Sequence, residues 1–164
     1  MDLINQQFNK AKELFLLQED IQEGVSIMKK ITTLVNELAQ SFVNLDGGSL
    51  SDYQMKLSGY KFYLADQIAE LMAKSEYTKA WIKDQRAILW KDIEFQIKEA
   101  EGKIKNKEQI ENALLISLRK EINDQIFYES QYQKLKLKSF AIDDILTVIV
   151  QRIAELKRQI NQVS

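Results

Sequence analysis

Three groups of residues in this chain have types and spacings suited to chemistry. The first is acidic: Asp92 with Glu94, Glu99 with Glu101, Glu108 with Glu111, and Asp143 with Asp144. Close carboxylates can share a proton or hold a divalent cation. Acids two residues apart do not share a helix face, and most of these stand among lysines, as solvated helix faces do. The second group is basic: Lys98, Lys103, Lys105 and Lys107 surround Asn106. A helix N-terminus there favours anions, although a solvated tip carrying flexible lysines accounts for the same residues. The third group mixes bases with aromatics. Lys74, Tyr77, Lys79, Trp81, Lys83 and Arg86 form one half, and Tyr132, Lys134, Lys136, Lys138 and Phe140 the other. Cationic side chains neutralise phosphates and aromatic faces stack on unpaired bases. Reflecting the chain about residue 104 sets position 134 opposite position 74, so the halves are expected to meet. Against this, Lys134, Lys136 and Lys138 alternate and so spread around a helix axis, and aromatics at helical spacing commonly serve as core.

The rest of the inventory narrows the chemistry. The 164 residues include no cysteine and no histidine. That removes disulfides, thiolate or imidazole zinc sites, Cys–His dyads and Ser–His–Asp triads. A helical di-iron centre loses its Glu-x-x-His pair as well. We therefore expect no enzyme, catalytic residue, metal or cofactor. The start Met1-Asp2-Leu3 lacks the basic and apolar regions of a signal peptide, and no apolar run approaches the ~20 residues of a membrane span. The amphipathic faces carry both charge signs, unlike the basic faces of interfacial helices. The expected location is cytoplasmic, without membrane contact. Net charge is −1 and uneven: residues 1–52 hold four basic and eight acidic side chains, and the remainder 19 and 16. A local basic surface is permitted by this balance but not demanded.

Long helices must position these groups. Hydrophobic content of 45% supports a packed core, and with no proline and only five glycines the chain lacks the turn residues of a β domain. The fold expected is all-α: a long antiparallel, coiled-coil-like helical hairpin with an additional N-terminal helix, in one domain. The N-terminal helical segment covers 1–46, with a break at Gly24. Within it Met28, Ile31, Val35, Leu38, Phe42 and Leu45 recur at threes and fours and form a seam. Asp46-Gly47-Gly48-Ser49 ends it. The second helix covers 51–101, opened by Ser51 and Gln54 as a capping box. Its stripe runs Tyr60, Leu64, Ile68, Leu71, Ser75, Thr78, Ile82, Leu89, Ile93 and Ile97, so its middle packs through polar groups or close-set backbones. A turn at 102–106, with Asn106 and Gln109 as a second cap, leads to the third helix, 107–163. That helix carries Ile142, Ile145, Ile149, Ile153, Leu156, Ile160 and Val163 in heptad-like register. Tyr53, Tyr60, Phe62 and Tyr63, with Phe127, Tyr128 and Tyr132, suit packing between helices or subunits. Seams on the first and last helices exceed the needs of one hairpin, so a homo-oligomer is expected.

The order of features over residues 53–160 resembles the UvsY-type recombination mediators of bacteriophages. It consists of Tyr60-Lys61-Phe62-Tyr63-Leu64, a mixed-charge middle with Trp81 and Trp90, a short lysine-rich turn, Ile142-Asp143-Asp144-Ile145, and Arg152-Ile153-Ala154-Glu155-Leu156-Lys157. The resemblance implies a helical, oligomeric accessory protein of phage DNA recombination or replication. Such a protein binds single-stranded DNA and helps load a recombinase onto strands covered by single-strand binding protein. The ten nucleic-acid-binding candidates, Lys74 to Arg86 and Tyr132 to Lys138 as named above, come from charge and aromatic placement and not from the resemblance. The other expectation is a protein–protein interaction module, either a coiled-coil scaffold or an inhibitor of a host protein.

Overall fold

The computed structural model describes residues 2–16, 26–101 and 107–163. Among them every regular element is helical: α1 (Asp2–Leu16), α2 (Ser26–Ser41), a 3₁₀ turn (Phe42–Asn44), α3 (Gly47–Glu101), α4 (Lys107–Ser117) and α5 (Arg119–Val163). The all-α expectation holds. Gly24 and the 102–106 turn with its Asn106 cap lie outside the described residues. The chain divides into two compact units, one of Met1–Ala69 with Gln133–Ser164 and one of Glu70–Tyr132. Both α3 and α5 contribute to each.

In the first unit the seam of α2 is the core. Met28, Ile31, Val35, Leu38 and Phe42 are buried, and α5 supplies Leu135, Ile142, Ile145 and Ile149. The α3 segment adds Leu50, Leu57 and Leu64, spaced by seven residues and all without exposed surface. Lys61 of α3 is ion-paired with Asp143 of α5. The N-terminal helix α1 is anchored by Phe8, whose ring stacks on Phe42 at 4.3 Å and 10°. The seam of α5 opens toward its end: Ile153 and Leu156 are half-buried, and Ile160 is exposed.

Two boundaries differ from expectation. The second helix begins at Gly47, not Ser51. Asp46 is its cap: the Ser49 amide donates to Asp46 Oδ1 at 2.7 Å, and the Leu50 amide to the Asp46 carbonyl at 3.0 Å. A carboxylate satisfying an orphan amide at the positive helix end outcompetes a serine cap four residues later, and helical φ/ψ is open to glycine as to any residue. Ser51 lies inside the first turns, its hydroxyl donating to the Gly47 carbonyl at 2.8 Å. The third helix is interrupted at Leu118, although Leu118 and Ile122 amides still reach carbonyls four residues back, at 2.9 and 3.0 Å. The interruption is thus a one-residue irregularity in an otherwise helical ladder.

In the second unit Ile93 packs with Ile110 and Leu114 of α4, joined by half-buried Leu89, Trp90, Ile97 and Ala113. Farther along α3, apolar packing gives way to a polar contact: buried Ser75 donates to Glu129 of α5 at 2.9 Å. Of the two readings for the middle of the stripe, the polar one is correct. Lys61–Asp143 in the first unit and Ser75–Glu129 in the second each join residues equidistant from position 102, while Arg86–Glu111 does not. At Ser75 the partner therefore lies four residues, about one helical turn, from the one that a reflection about 104 gives.

Candidate functional site

Within the second unit the Ser75–Glu129 contact sets position 74 opposite position 130, four residues from the expected 134. The ten candidate residues fall into three groups. Lys79, Lys83 and Arg86, at i, i+4 and i+7 on α3, line one shallow groove with Glu76, Ala80 and Ile82, of about 600 Å³. Tyr77 precedes Lys79 by two residues and Trp81 precedes Lys83 by two, so each aromatic is rotated about 200° from its lysine. Both aromatics share the opposite flank of α3 with Lys74. Tyr77 is 73% exposed, while Trp81 is half-buried. Tyr132 is half-buried and belongs to the same unit, whereas Lys134, Lys136 and Lys138 belong to the other.

Three of these cations already face carboxylates. Lys74 donates to Glu70 at 2.5 Å, a bond that raises the lysine pKa above its ordinary value. Lys79 stands 3.8 Å from Glu76, and Arg86 is paired with Glu111 of α4. Lys138 is 8% exposed. It occupies the α5 seam, three residues after Leu135 and four before Ile142, so its stem packs in the core. Lys134 and Lys136 are half-buried. The arrangement sets Lys79, Lys83 and Arg86 on one shallow groove that Glu76 also lines, with the rings of Tyr77 and Trp81 on another face.

The acid pairs do not converge either. Glu94 accepts from Lys98 at 2.7 Å, Glu111 holds Arg86, and Asp143 holds Lys61. Among the described residues no group of three or more acidic side chains is placed to hold a metal ion. Lys103 and Lys105, from the basic tip, lie outside the described residues. Among the described residues no helix is long and apolar enough to cross a membrane.

A different feature was missed by reading charges and aromatics first. Large apolar side chains outside the seams stand in water: Met55 (70%), Phe62 (71%) and Tyr63 (60%) in the first unit, and Ile88 (59%), Phe95 (61%) and Ile116 (76%) in the second. Phe62 and Tyr63 meet edge-on at 6.2 Å but pack little else, contrary to a role between helices of one chain. The signal was in the sequence. Met55 and Phe62 are seven apart, as are Trp81, Ile88 and Phe95, and none of the five belongs to the buried stripe of α3. Subtracting the first seam from the helix leaves a second.

No protein-family model, characterised protein or solved structure matches the chain.

Proposed function

We propose that this protein is a non-enzymatic assembly module, whose helices bind further copies of the same chain through apolar stripes left outside its own core. The observation that carries this reading is the heptad spacing of Trp81, Ile88 and Phe95 on the outer side of α3, the last two more than half exposed. Fully burying one such side chain is worth about 1.5–3 kcal/mol, so a helix that keeps several in water gains by covering them. A strict period of seven is what a facing helix requires. Light scattering on a size-exclusion column tests the reading with two variants, Phe62→Glu and Ile88→Glu. At least one is expected to shift the protein toward monomer with its helical circular dichroism unchanged. Two variants of wild-type mass would remove the stripes from the assembly.

A second reading has its own support. Lys79, Lys83 and Arg86 share one face of α3, as phosphate contacts along a strand would need. On this reading the protein is a phage-type recombination or replication accessory that binds single-stranded DNA as an oligomer, in the cytoplasm, beside a recombinase or single-strand binding protein. Its test is fluorescence anisotropy of labelled single-stranded DNA at several salt concentrations. Three phosphate contacts correspond to a log–log salt slope of about −2. The triple variant Lys79→Glu, Lys83→Glu, Arg86→Glu should abolish binding, and unchanged binding would remove the groove from the assignment.

A further inference from the structure

We infer that the second unit, Glu70–Tyr132, opens and closes by itself while the first stays folded, so that the chain carries a helix pair able to unzip and re-form. This opening is independent of assembly, and its basis is where the buried side chains lie. Of the apolar side chains buried among the described residues, seventeen belong to the first unit and four, Ile93, Ile110, Leu114 and Leu118, to the second. Among the large side chains fully sealed from water, Leu114 alone comes from the second unit.

The number of helices explains the contrast. In the first unit α1, α2, α3 and α5 all supply buried residues, so a seam there is covered from several sides. In the second, α3 has only α4 and then α5 to pack on, and a pair of helices leaves its seam open along both flanks. Leu71, Ile82, Leu89 and Ile97 are accordingly half-buried. Between Ser75 and Ile93 no side chain of α3 is buried, nor is any of α5 before Gln131. The other buried side chains of this unit are polar: Ser75, which donates to Glu129, and Gln131. A hydrogen bond exchanged for one with water stabilises less than burial of a large apolar side chain. Regions with few buried apolar contacts open at lower free energy than the core, and they do so in cooperative blocks. Once apart, the helices lose the packing that supplies most helical stability, and they unwind. Opening breaks the Ser75–Glu129 bond and the Arg86–Glu111 ion pair and frees the seam residues Leu71, Ile82 and Leu89.

Native-state hydrogen exchange of the full chain in dilute urea, read peptide by peptide in a mass spectrometer, tests this. Amides of 70–101 and 107–132 are expected to exchange on the order of 100-fold faster than those of α2 and of residues 141–149. Their exchange should also depend less steeply on urea, because opening one unit exposes less surface than unfolding the whole chain. Ile145→Val, a mild change in the first unit, should speed exchange of α2 about 2- to 12-fold and leave that of 70–132 unchanged. Leu114→Ala should leave the α2 amides protected even where it melts the second unit. Equal protection of the two units in the unmodified chain would overturn the inference. So would Ile145→Val speeding both units alike, or Leu114→Ala unfolding α2 together with the second unit, since either would mean a single cooperative block.

Discussion

Asp46 shows how one side chain moved a helix boundary. Its carboxylate takes the Ser49 amide, and this bond, with the Ser49 hydroxyl and the Gly48 amide, holds its pKa below the ordinary carboxylate value. A depressed folded-state pKa stabilises the fold above the ordinary value, about 3.9, and the contribution is lost as pH falls through the lowered one. Asp46→Ala should therefore lower the melting temperature at pH 7, Asp46→Asn should lower it less, and the gap to wild type should narrow below about pH 3. A gap independent of pH would show that the charge contributes nothing. Ser75 makes a second residue-scale case, since it is 1% exposed and bonds Glu129 across the helices. Ser75→Ala removes one buried hydrogen bond and should cost about 1 kcal/mol in urea unfolding, provided Glu129 keeps its access to water. Arg152 is 4% exposed and ties α5 to the 3₁₀ turn. It donates to Glu155 at 3.0 Å and to the Val43 carbonyl at 3.4 Å. In this chain it serves packing, a role its neighbours in sequence do not reveal.

Among the elements, periodicity was legible wherever one face is dry. Met28, Ile31, Val35 and Leu38 on α2, Phe42 in the 3₁₀ turn, and Ile142, Ile145 and Ile149 on α5 are buried as their spacing requires. The same period continues to Ile160, which is 65% exposed, so period alone does not say where packing stops. Ile145→Ala should cost about 2–5 kcal/mol and Ile160→Ala within about 0.5 kcal/mol in chemical denaturation. Comparable losses at both would mean that α5 is covered to its end, as by another subunit. The register was less legible than the faces. Reflecting a hairpin about its turn requires the turn's length to one or two residues, and each residue of error shifts the partner by two. The one-residue interruption at Leu118 has no breaker to announce it, since leucine favours helix.

For the molecule as a whole, the site was the least legible part, and for a physical reason. Charges and aromatics draw attention as ligand-binding groups, yet here Lys74, Lys79 and Arg86 face the protein's own carboxylates, and Lys138 lies in a core seam. Which lysines are free depends on tertiary neighbours that spacing does not show. The apolar residues left over after the first seam carry more, because a helix with two heptad stripes has more dry surface to form than one hairpin covers. Sedimentation equilibrium of the unmodified chain from about 1 to 100 μM tests this most directly, a range that brackets the micromolar affinity of a modest interface. The expected result is a reversible mass increase to the dimer or beyond, lost when Ile88 or Phe62 is made acidic. A single species of monomer mass across the range, with exposed Ile88 and Phe95 still in water, would contradict assembly as the way this protein works.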